Sequence, residues 1–524
     1  MNSRKQTLHT IFAVISLTFF AKFIGFFRDA LLGSRLGADI ESDAYLMALN
    51  STSIIFVSLG SAIVTAGIPI IVEHITKQNK KEAFSFVNNL LNILVLLSSG
   101  LTIVGMFFSK NIMALLANGF EGEKLALTSK LTQIMFPILI CISITYVFVS
   151  LLQSLNRFKV TSIISFPGNV LSIIFLYYFI KGYGVVGLAV ITTIGWVLQF
   201  VVQIPTLYKE GYRYRFTMNF KDESIIRFFK MILPITVVAA VAQFNILLDE
   251  AQASFLDHGK ISYLYYANML YQAIATTTVL GISAVMFPRF AEKAVKLNNI
   301  QYSNFVTSIL KSMIFILLPM TTGIILLRIP VIRLVFERGE FIPSATAGTS
   351  LAFAFYSLGM LGFGFQDILN KAFYAHHDIW TPVKYAVGVI AVNMILNLMF
   401  VTAFDIGGLA VATAAASTFG AVGLILAFRR KTGYFEARNL VKGFTKVLAA
   451  CVVMGVSVSI SLYVLDRFLT DSGILIKLIK VVVPSILGMV IYGVVTVLLK
   501  IEEAKYLYKE MILPFLFRKK DRLS

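Results

Sequence analysis

The chain has 524 residues, of which 57% are hydrophobic and only 14% are charged, and its formal net charge at pH 7 is +19. Ordinary soluble domains are about 25% charged, because polar side chains must cover their surface. This composition excludes a soluble globular enzyme and a disordered chain, and it predicts an all-α polytopic membrane protein. Since the positive charge has no soluble basic face to occupy, we expect no nucleic-acid partner.

Hydrophobic segments long enough to cross a bilayer recur along the whole chain. A spanning helix needs roughly 20 mostly apolar residues. A window of that length predicts about fourteen transmembrane helices. Their approximate centres are Leu17, Val64, Val95, Leu139, Ile173, Val197, Val238, Leu280, Phe315, Phe355, Ile390, Ala416, Met454 and Leu487.

Basic residues mark one side of the predicted spans. With the N-terminus inside, the inner loops collect most of the Lys and Arg, for example at Arg213, Arg215, Arg429 and Arg430. The tail adds four more, namely Arg518, Lys519, Lys520 and Arg522. Cytoplasmic loops carry an excess of Lys and Arg in multi-pass proteins. We therefore expect both termini in the cytoplasm.

Two segments of the sequence match at a fixed spacing. Gly187–Thr192 and Gly408–Thr413 differ at one position and lie 221 residues apart, and the same offset places Asp29 on Glu250. Because six spans separate the copies, both have the same membrane orientation, as in parallel repeats of transporters. The predicted architecture is an N-lobe over 1–210 and a C-lobe over 220–432, each with six helices, then two further helices over 440–500 and a basic cytoplasmic tail over 501–524.

The first predicted span carries the densest set of ionisable residues. Such residues at membrane depth are costly and are functional candidates by default. Lys22 and Asp29 are seven apart, as are Arg28 and Arg35, so each pair shares a helix face. The functional interpretation is an anion-binding wall with Arg28 as its main donor, since a planar guanidinium can bind phosphate oxygens bidentately. The structural alternative is an ion pair of Asp29 with Arg28 or Lys22, with Arg35 at the headgroup boundary.

Oxygen-bearing side chains on three later spans form a second candidate site. Asp249 ends the seventh span, Asn393 and Asn397 lie four apart on one face of the eleventh, and Thr413 lies in the twelfth. A carboxylate, two amide oxygens, a hydroxyl and a backbone carbonyl would suit a hard cation such as Na⁺. The alternative is interhelical hydrogen bonding by Asn and Thr, which is common in membrane bundles.

Several motifs, in order along the chain, carry a resemblance to a known family. They are Gly25–Asp29 with Glu41–Tyr45, then Gly259–Asn268, then Phe336–Phe341, then Lys371–Pro382. In these motifs the chain resembles the MurJ (MviN) lipid II flippases of the MOP transporter superfamily. Fourteen helices and a two-lobe repeat also suit that family.

The resemblance implies a flippase rather than an enzyme. Such a protein moves undecaprenyl-pyrophosphate-linked peptidoglycan precursor (lipid II) from the inner to the outer leaflet of the bacterial cell membrane by alternating access, for cell-wall synthesis. It implies an essential pair at Arg28 and Asp29 and an acidic residue at Asp43, and the full expected substrate-binding set is Lys22, Arg28, Asp29, Arg35 and Asp43. It also implies a sodium site at Asp249, Asn393, Asn397, the Leu409 carbonyl and Thr413.

The expected partners follow from the same resemblance. They are lipid II or a related polyprenyl-pyrophosphate glycolipid and the membrane lipids, with the protein acting as a monomer. No cofactor is expected apart from Na⁺ as coupling ion. Transport is expected to draw on a cation gradient or the membrane potential.

Two departures from the family pattern leave the substrate open. Met269 stands where an Arg often follows the Tyr-Ala-Asn stretch, and the second span, 51–71, lacks basic residues. Fewer fixed cations would weaken pyrophosphate binding, so the alternative is a flippase for another polyprenyl-pyrophosphate-linked oligosaccharide, of O-antigen or capsule type. A cation-coupled drug antiporter is less favoured, because it should prefer acidic and aromatic residues over Arg28 and Arg35. A membrane glycosyltransferase or ligase would need catalytic carboxylates in outer loops.

Overall fold

The computed structural model describes residues 2–77, 79–469 and 473–507, and every regular element in these ranges is an α-helix. The helices of the first half are α1 Asn2–Leu36, α2 Ile40–Lys77, α3 Lys80–Phe107, α4 Ser109–Leu116, α5 Gly122–Met135, α6 Ile138–Ser154, α7 Phe158–Thr161, α8 Phe166–Tyr178, α9 Ile180–Val201 and α10 Ile204–Lys209. Those of the second half are α11 Glu223–Ala253, α12 Lys260–Lys296, α13 Asn299–Val335, α14 Pro343–Leu358, α15 Met360–Ala375, α16 Trp380–Phe404, α17 Ile406–Thr432, α18 Ala437–Phe468, α19 Ile474–Leu498 and α20 Glu502–Leu507. The four basic residues predicted to mark the tail lie outside the described residues.

Eleven described helical segments are long and apolar enough to cross a membrane. They coincide with the second to sixth and the ninth to fourteenth predicted spans. The other three predicted spans lie in α1, α11 and α12, which are 35, 31 and 37 residues long. The predicted all-α multi-pass fold is therefore confirmed, whereas the count of fourteen spans stays a prediction.

Contacts divide the chain into two compact units. The first contains Met1–Ser262 and Arg338–Ile342, and the second contains Tyr263–Glu337 and Pro343–Ser524. Helix α11, which was predicted to begin the C-lobe, belongs by its contacts to the first unit. The predicted lobes rest on sequence spacing rather than on contacts, so they stay a prediction.

Helix α11 is fastened to α2 near both of its ends. Close to its start, Arg227 Nη1 lies 2.6 Å from Glu73 Oε2. Close to its end, Glu250 Oε1 accepts a hydrogen bond from Asn50 Nδ2. These polar contacts join two helices that are separated in sequence by four predicted spans. Buried Ile225, Phe228 and Ile232 of α11 belong to the same apolar cluster as residues of α2, so α11 groups with the first unit.

Three asparagines of α3 hold the segment that precedes α11. They are Asn88, Asn89 and Asn92, and all are buried. Asn89 donates to the Asn219 carbonyl at 3.0 Å and accepts from the Asn219 N–H at 2.7 Å, while Asn92 donates to the Thr217 carbonyl at 2.8 Å. Backbone groups outside a helix need hydrogen-bond partners when they pack on protein. The side-chain amides supply these partners and fix the connection between α10 and α11 on α3.

Helices α8 and α9 approach each other closely at two glycines. A Cβ atom on Gly168 would lie 2.8 Å from the Gly195 carbonyl oxygen, and one on Gly195 would lie 3.2 Å from Gly168 Cα. Small residues allow the backbones of membrane helices to pack at short range. This contact positions the first turn of α8, in which Asn169 follows Gly168.

Replacement of Gly168 by Val is expected to destabilise the protein, because the new side chain would collide with backbone atoms of α9. Overpacking of this kind costs about 1–3 kcal/mol. The measurement is the thermal unfolding temperature of the full-length protein in detergent. Gly100→Val is the matched control, since Gly100 is an exposed helical glycine whose Cβ would meet open space. Equal unfolding temperatures for the two variants would show that the close approach is absent.

Candidate functional site

Arg28 and Asp29 form one polar network with Asn169 of α8. Arg28 Nε and Nη2 donate to Asp29 Oδ1 at 2.9 and 2.6 Å. Arg28 Nη1 donates to Asn169 Oδ1 at 2.9 Å. The arginine is thus neutralised by its sequence neighbour and oriented by a residue of a different helix. The Arg28–Asp29 ion pair that the sequence offered as an alternative is present.

The network leaves part of the Arg28 side chain accessible. Its exposed fraction is 31%, compared with 13% for Asp29. A planar guanidinium held by two partners loses little further rotamer freedom when it binds an anion. The ion pair and the anion-binding interpretation are therefore compatible, because Asp29 and Asn169 fix the orientation of the Arg28 guanidinium plane, which an oxyanion would bind.

Asn169 is the residue of this network that the sequence analysis did not find. It lies 141 residues from Arg28, in an apolar segment that opens α8. One sequence signal for such a neighbour is Gly25 of α1. A Cβ atom at this position would lie 3.4 Å from Asn169 Nδ2. A glycine one turn before Arg28 leaves room for a side chain from a neighbouring helix, but the sequence does not say which one.

Lys22 and Arg35 lie on α1 outside this network. The Arg35 guanidinium carbon lies 5.0 Å from the ring centroid of Tyr177, near the end of α8, which is a cation–π distance. Lys22 is exposed, and among the described residues it makes no ion pair with Asp29. The structure thus brings Arg28 and Asp29 together and places the other two cations elsewhere along the helix.

Asp43, in the first turn of α2, is completely enclosed. Its Oδ2 accepts from Lys124 Nζ at 2.9 Å and from the Gly259 N–H at 2.7 Å. Its Oδ1 accepts from the N–H and the hydroxyl of Ser262 at 2.9 and 2.7 Å. Gly259 and Ser262 flank the start of α12, where helix N–H groups lack partners within the helix and the dipole favours a negative charge. Asp43 therefore caps α12 and neutralises Lys124 of α5.

This environment bears on the substrate-binding role predicted for Asp43. Both of its oxygens are engaged with protein donors, and no part of the residue is accessible. In this conformation the carboxylate joins helices, and its substrate-binding role stays a prediction. An acidic residue after the first span was recognised in the sequence, but its partners lie 81 to 219 residues away.

Further backbone contacts surround the same region of the first unit. The Glu340 N–H donates to the Ser34 carbonyl at 3.0 Å, so the segment Arg338–Ile342 packs on the end of α1. Gly37 has a φ of +65°, and a Cβ there would lie 2.5 Å from the Glu340 carbonyl oxygen, so only glycine fits. Three of the motifs that carry the family resemblance therefore meet here.

Four of the five predicted sodium ligands lie together on α16 and α17. Asn397 Nδ2 donates to Asn393 Oδ1 at 3.1 Å, and Asn393 Nδ2 donates to Thr413 Oγ1 at 3.2 Å. Thr413 Oγ1 in turn donates to the Leu409 carbonyl at 3.0 Å. Both asparagines are fully buried. The interhelical hydrogen bonding that the sequence offered as an alternative is thus present, while Asp249 belongs to the first unit.

Many apolar helices, with charged and amide side chains held between them, define a multi-pass membrane protein. A sequence model of the family described as lipid II flippase MurJ matches residues 32–483. The chain therefore belongs to the MurJ family, and the predicted family membership is confirmed.

Individual relatives agree with this assignment. The chain is 27% identical over 462 residues to the probable lipid II flippase MurJ of Vibrio cholerae, covering 84% of this chain and 87% of the relative. It is 26% identical over 494 residues to the probable lipid II flippase MurJ of Rickettsia prowazekii, covering 93% and 96%.

Solved structures show the same fold. One described as lipid II flippase MurJ in an inward closed conformation matches with a TM-score of 0.78 at 24% identity, covering 95% of this chain and 99% of that one. An inward-facing multidrug resistance MATE family transporter of the MOP superfamily matches with a TM-score of 0.69 at 15% identity, covering 82% and 99%. The superfamily fold predicted from the sequence is confirmed.

Replacement of Asp43 by Asn is expected to destabilise the protein by about 3–5 kcal/mol, because it leaves the buried Lys124 ammonium without its counter-charge. Lys124→Met should be costly for the same reason. The double variant should lose clearly less than the sum of the two single losses. The measurement is a double-mutant cycle of chemical unfolding of the full-length protein in detergent. Strictly additive losses would mean that the two charges do not interact.

Proposed function

We propose that this protein is a lipid II flippase, which moves the undecaprenyl-pyrophosphate-linked peptidoglycan precursor from the inner to the outer leaflet. Membership of the MurJ family supports this assignment, and the relatives from Vibrio cholerae and Rickettsia prowazekii carry that name. The observation that carries it is the partly accessible Arg28, held in the plane set by Asp29 and Asn169. The protein acts as a transporter and not as an enzyme, because no bond of the substrate has to change.

Arg28 is proposed to bind the pyrophosphate of the substrate while the polyprenyl tail stays in the hydrocarbon. A guanidinium can engage two phosphate oxygens at once. Asp29 already neutralises Arg28, and the remaining N–H groups of the guanidinium are the donors that a phosphate would meet. Because Arg28 carries no uncompensated charge, the head group is held weakly enough to be released, which a carrier needs on the far side of the membrane.

Both termini are proposed to lie in the cytoplasm. The protein is a multi-pass membrane protein, and the orientation follows from the excess of basic residues in alternate loops. Two of these, Arg429 and Arg430, are exposed in the last turn of α17. We further propose that the flippase acts as a monomer, because the sequence repeat supplies two lobes within one chain.

Na⁺ is the proposed coupling ion. The grouping of Asn393, Asn397, Thr413 and the Leu409 carbonyl supports this proposal, because amide, hydroxyl and carbonyl oxygens are the donors that hard cations prefer. The family resemblance adds the carboxylate of Asp249. A membrane potential of 100 mV contributes about 2.3 kcal/mol per charge moved, which is enough to bias a transport cycle.

A second candidate substrate is another polyprenyl-pyrophosphate-linked oligosaccharide. The observation in its favour is Met269, a half-buried residue of α12 that stands where the family pattern often has an Arg. Complementation of cells depleted of their lipid II flippase separates the two candidates, because only a lipid II flippase restores growth. Failure to complement would favour the oligosaccharide.

Arg28→Lys and Arg28→Ala are expected to lower lipid II flipping at least about tenfold, because neither residue offers a planar bidentate donor. The measurement is the rate at which fluorescent lipid II crosses the membrane of liposomes that contain the purified variant. Arg430→Lys is the control, since Arg430 is exposed at the end of α17. A normal flipping rate for Arg28→Ala would remove the central role proposed for this residue.

Asn397→Leu and Thr413→Val are expected to abolish the stimulation of flipping by Na⁺ relative to K⁺ at equal concentration. Coupling between sites typically changes affinity about fivefold or more, so the loss should be measurable in the same liposome assay. Thr418→Val is the control on the same helix as Thr413. Thr418 is exposed, and its hydroxyl donates to the Ala414 carbonyl of its own helix. Equal rates in both salts for the unmodified protein would refute Na⁺ coupling.

A further inference from the structure

The corner between α15 and α16, in the second unit, is a tight turn between two candidate spans. The His376 N–H donates to the Phe373 carbonyl at 2.9 Å, and the Asp378 N–H donates to the same carbonyl at 3.0 Å. His377, which lies between them, has a φ of +57°. Neither span includes residues 376–379, and the proposed orientation places this turn in the cytoplasm. The backbone of the turn therefore fixes where the His376 and Asp378 side chains lie.

Asp378 joins the start of α16 to the end of α17. Its Oδ1 accepts a hydrogen bond from the Thr381 N–H at 3.0 Å, and its Oδ2 accepts one from the Thr381 hydroxyl at 2.9 Å. The same Oδ2 lies 2.8 Å from Lys431 Nζ in the last turn of α17. Both oxygens of this carboxylate are therefore already bonded to protein donors.

The His376 ring is held against α13. It meets the ring of buried Tyr302 at an interplanar angle of 90°, with the two ring centroids 4.5 Å apart. Its Nε2 is enclosed and has no hydrogen-bond partner in the part of the chain that the structure describes. In a histidine cation both ring nitrogens carry a proton. The enclosed Nε2 would then be a donor without an acceptor, which is costly, so this position favours the neutral imidazole.

The charges around His376 also oppose a second proton on its ring. Burial of the ring lowers the pKa of His376, and repulsion by Lys431 and His377 lowers this pKa further. The titratable groups that face the ring are Tyr302 of α13, Lys431 of α17, and His377 and Asp378 of its own turn. Because Asp378 is already bonded to Lys431, a charged His376 would find no free counter-charge among these groups.

We propose that His376 makes this turn sensitive to cytoplasmic acid. A proton on the imidazole moves the ring away from Tyr302 and weakens the Lys431–Asp378 ion pair, which releases the end of α17 from the start of α16. Protonation of histidines at about pH 5–6 switches contacts in pH-sensing proteins in this way. The inference goes beyond the proposed flippase activity and does not depend on it, because no residue of the turn belongs to the proposed substrate site.

Stability is expected to fall with pH in a defined window. An unfolded histidine takes up its proton near about pH 6.5, whereas His376 in the folded chain takes it up at lower pH. Between these two values the unfolded chain binds more protons, so the free energy of unfolding decreases as the pH falls. The contribution of neutral His376 is complete above the unfolded pKa and is lost as the pH falls through the folded pKa.

The test compares three forms of the full-length protein in detergent. They are the unmodified chain, His376→Gln, and the control His377→Asn, which changes an exposed histidine to a residue that tolerates a positive φ. Thermal unfolding is followed from about pH 7.5 to about pH 5.5, which brackets the ordinary histidine pKa. Hydrogen exchange, corrected for its intrinsic pH dependence, is followed in peptides that contain residues 376–384 and 428–434.

The unmodified chain and the control should both respond to acid. Their unfolding temperatures should fall, and exchange in the two peptides should become severalfold faster, whereas His376→Gln should change much less. An equal response in the unmodified chain and His376→Gln would overturn the proposal, and so would loss of the response in His377→Asn. If His376→Gln does not fold, Lys431→Met should reduce the response, because it removes the repulsion that lowers the His376 pKa. An undiminished response in Lys431→Met would refute the switch.

Discussion

A charge inside an apolar membrane protein has no water to solvate it, so the protein itself must supply the partner. Much of the first unit depends on this constraint. Asp43 satisfies it by joining α2 to Lys124 of α5 and to the start of α12. Arg28 satisfies it through Asp29 and through Asn169 of α8. Each of these charged side chains therefore bonds residues of another helix, and these bonds help to fix which helices lie side by side.

The fold could be predicted from the sequence to the extent that hydropathy determines it. Segment length and apolarity identify a span without any knowledge of its neighbours, and eleven predicted spans coincide with apolar helices. Which helices contact one another was not predictable in the same way. The attachment of α11 to α2 includes the ion pair of Glu73 and Arg227, which lie 154 residues apart. No local sequence pattern encodes such a pairing. The sequence repeat places α11 in the C-lobe because of its position along the chain, whereas its contacts place it in the first unit.

In the candidate site, too, contacts between sequence neighbours could be predicted, whereas contacts between residues far apart in the sequence could not. Arg28 and Asp29 are adjacent, so their pairing could be predicted as an alternative from the sequence. The contact of Asn169 with Arg28 could not be predicted, because nothing in the sequence distinguishes this asparagine from others in apolar segments. Asp43 shows a different limit, since an acidic residue at the end of a span has the same sequence signature whether it binds a ligand or caps a helix. Only its complete burial and its four hydrogen bonds reveal that Asp43 caps a helix.

The cap on α12 also constrains how the start of this helix can move. Asp43 accepts hydrogen bonds from the backbone at the start of α12 while it neutralises Lys124. If α12 moved away alone, two oriented N–H donors would be lost from a buried carboxylate, which is expensive unless water replaces them. Separation and hydration therefore have to occur together, because hydration restores partners for Asp43, Lys124 and the N–H groups at once. The contacts of Asp43 are therefore lost together, and intermediate positions with dry, unpaired charges are the costly ones.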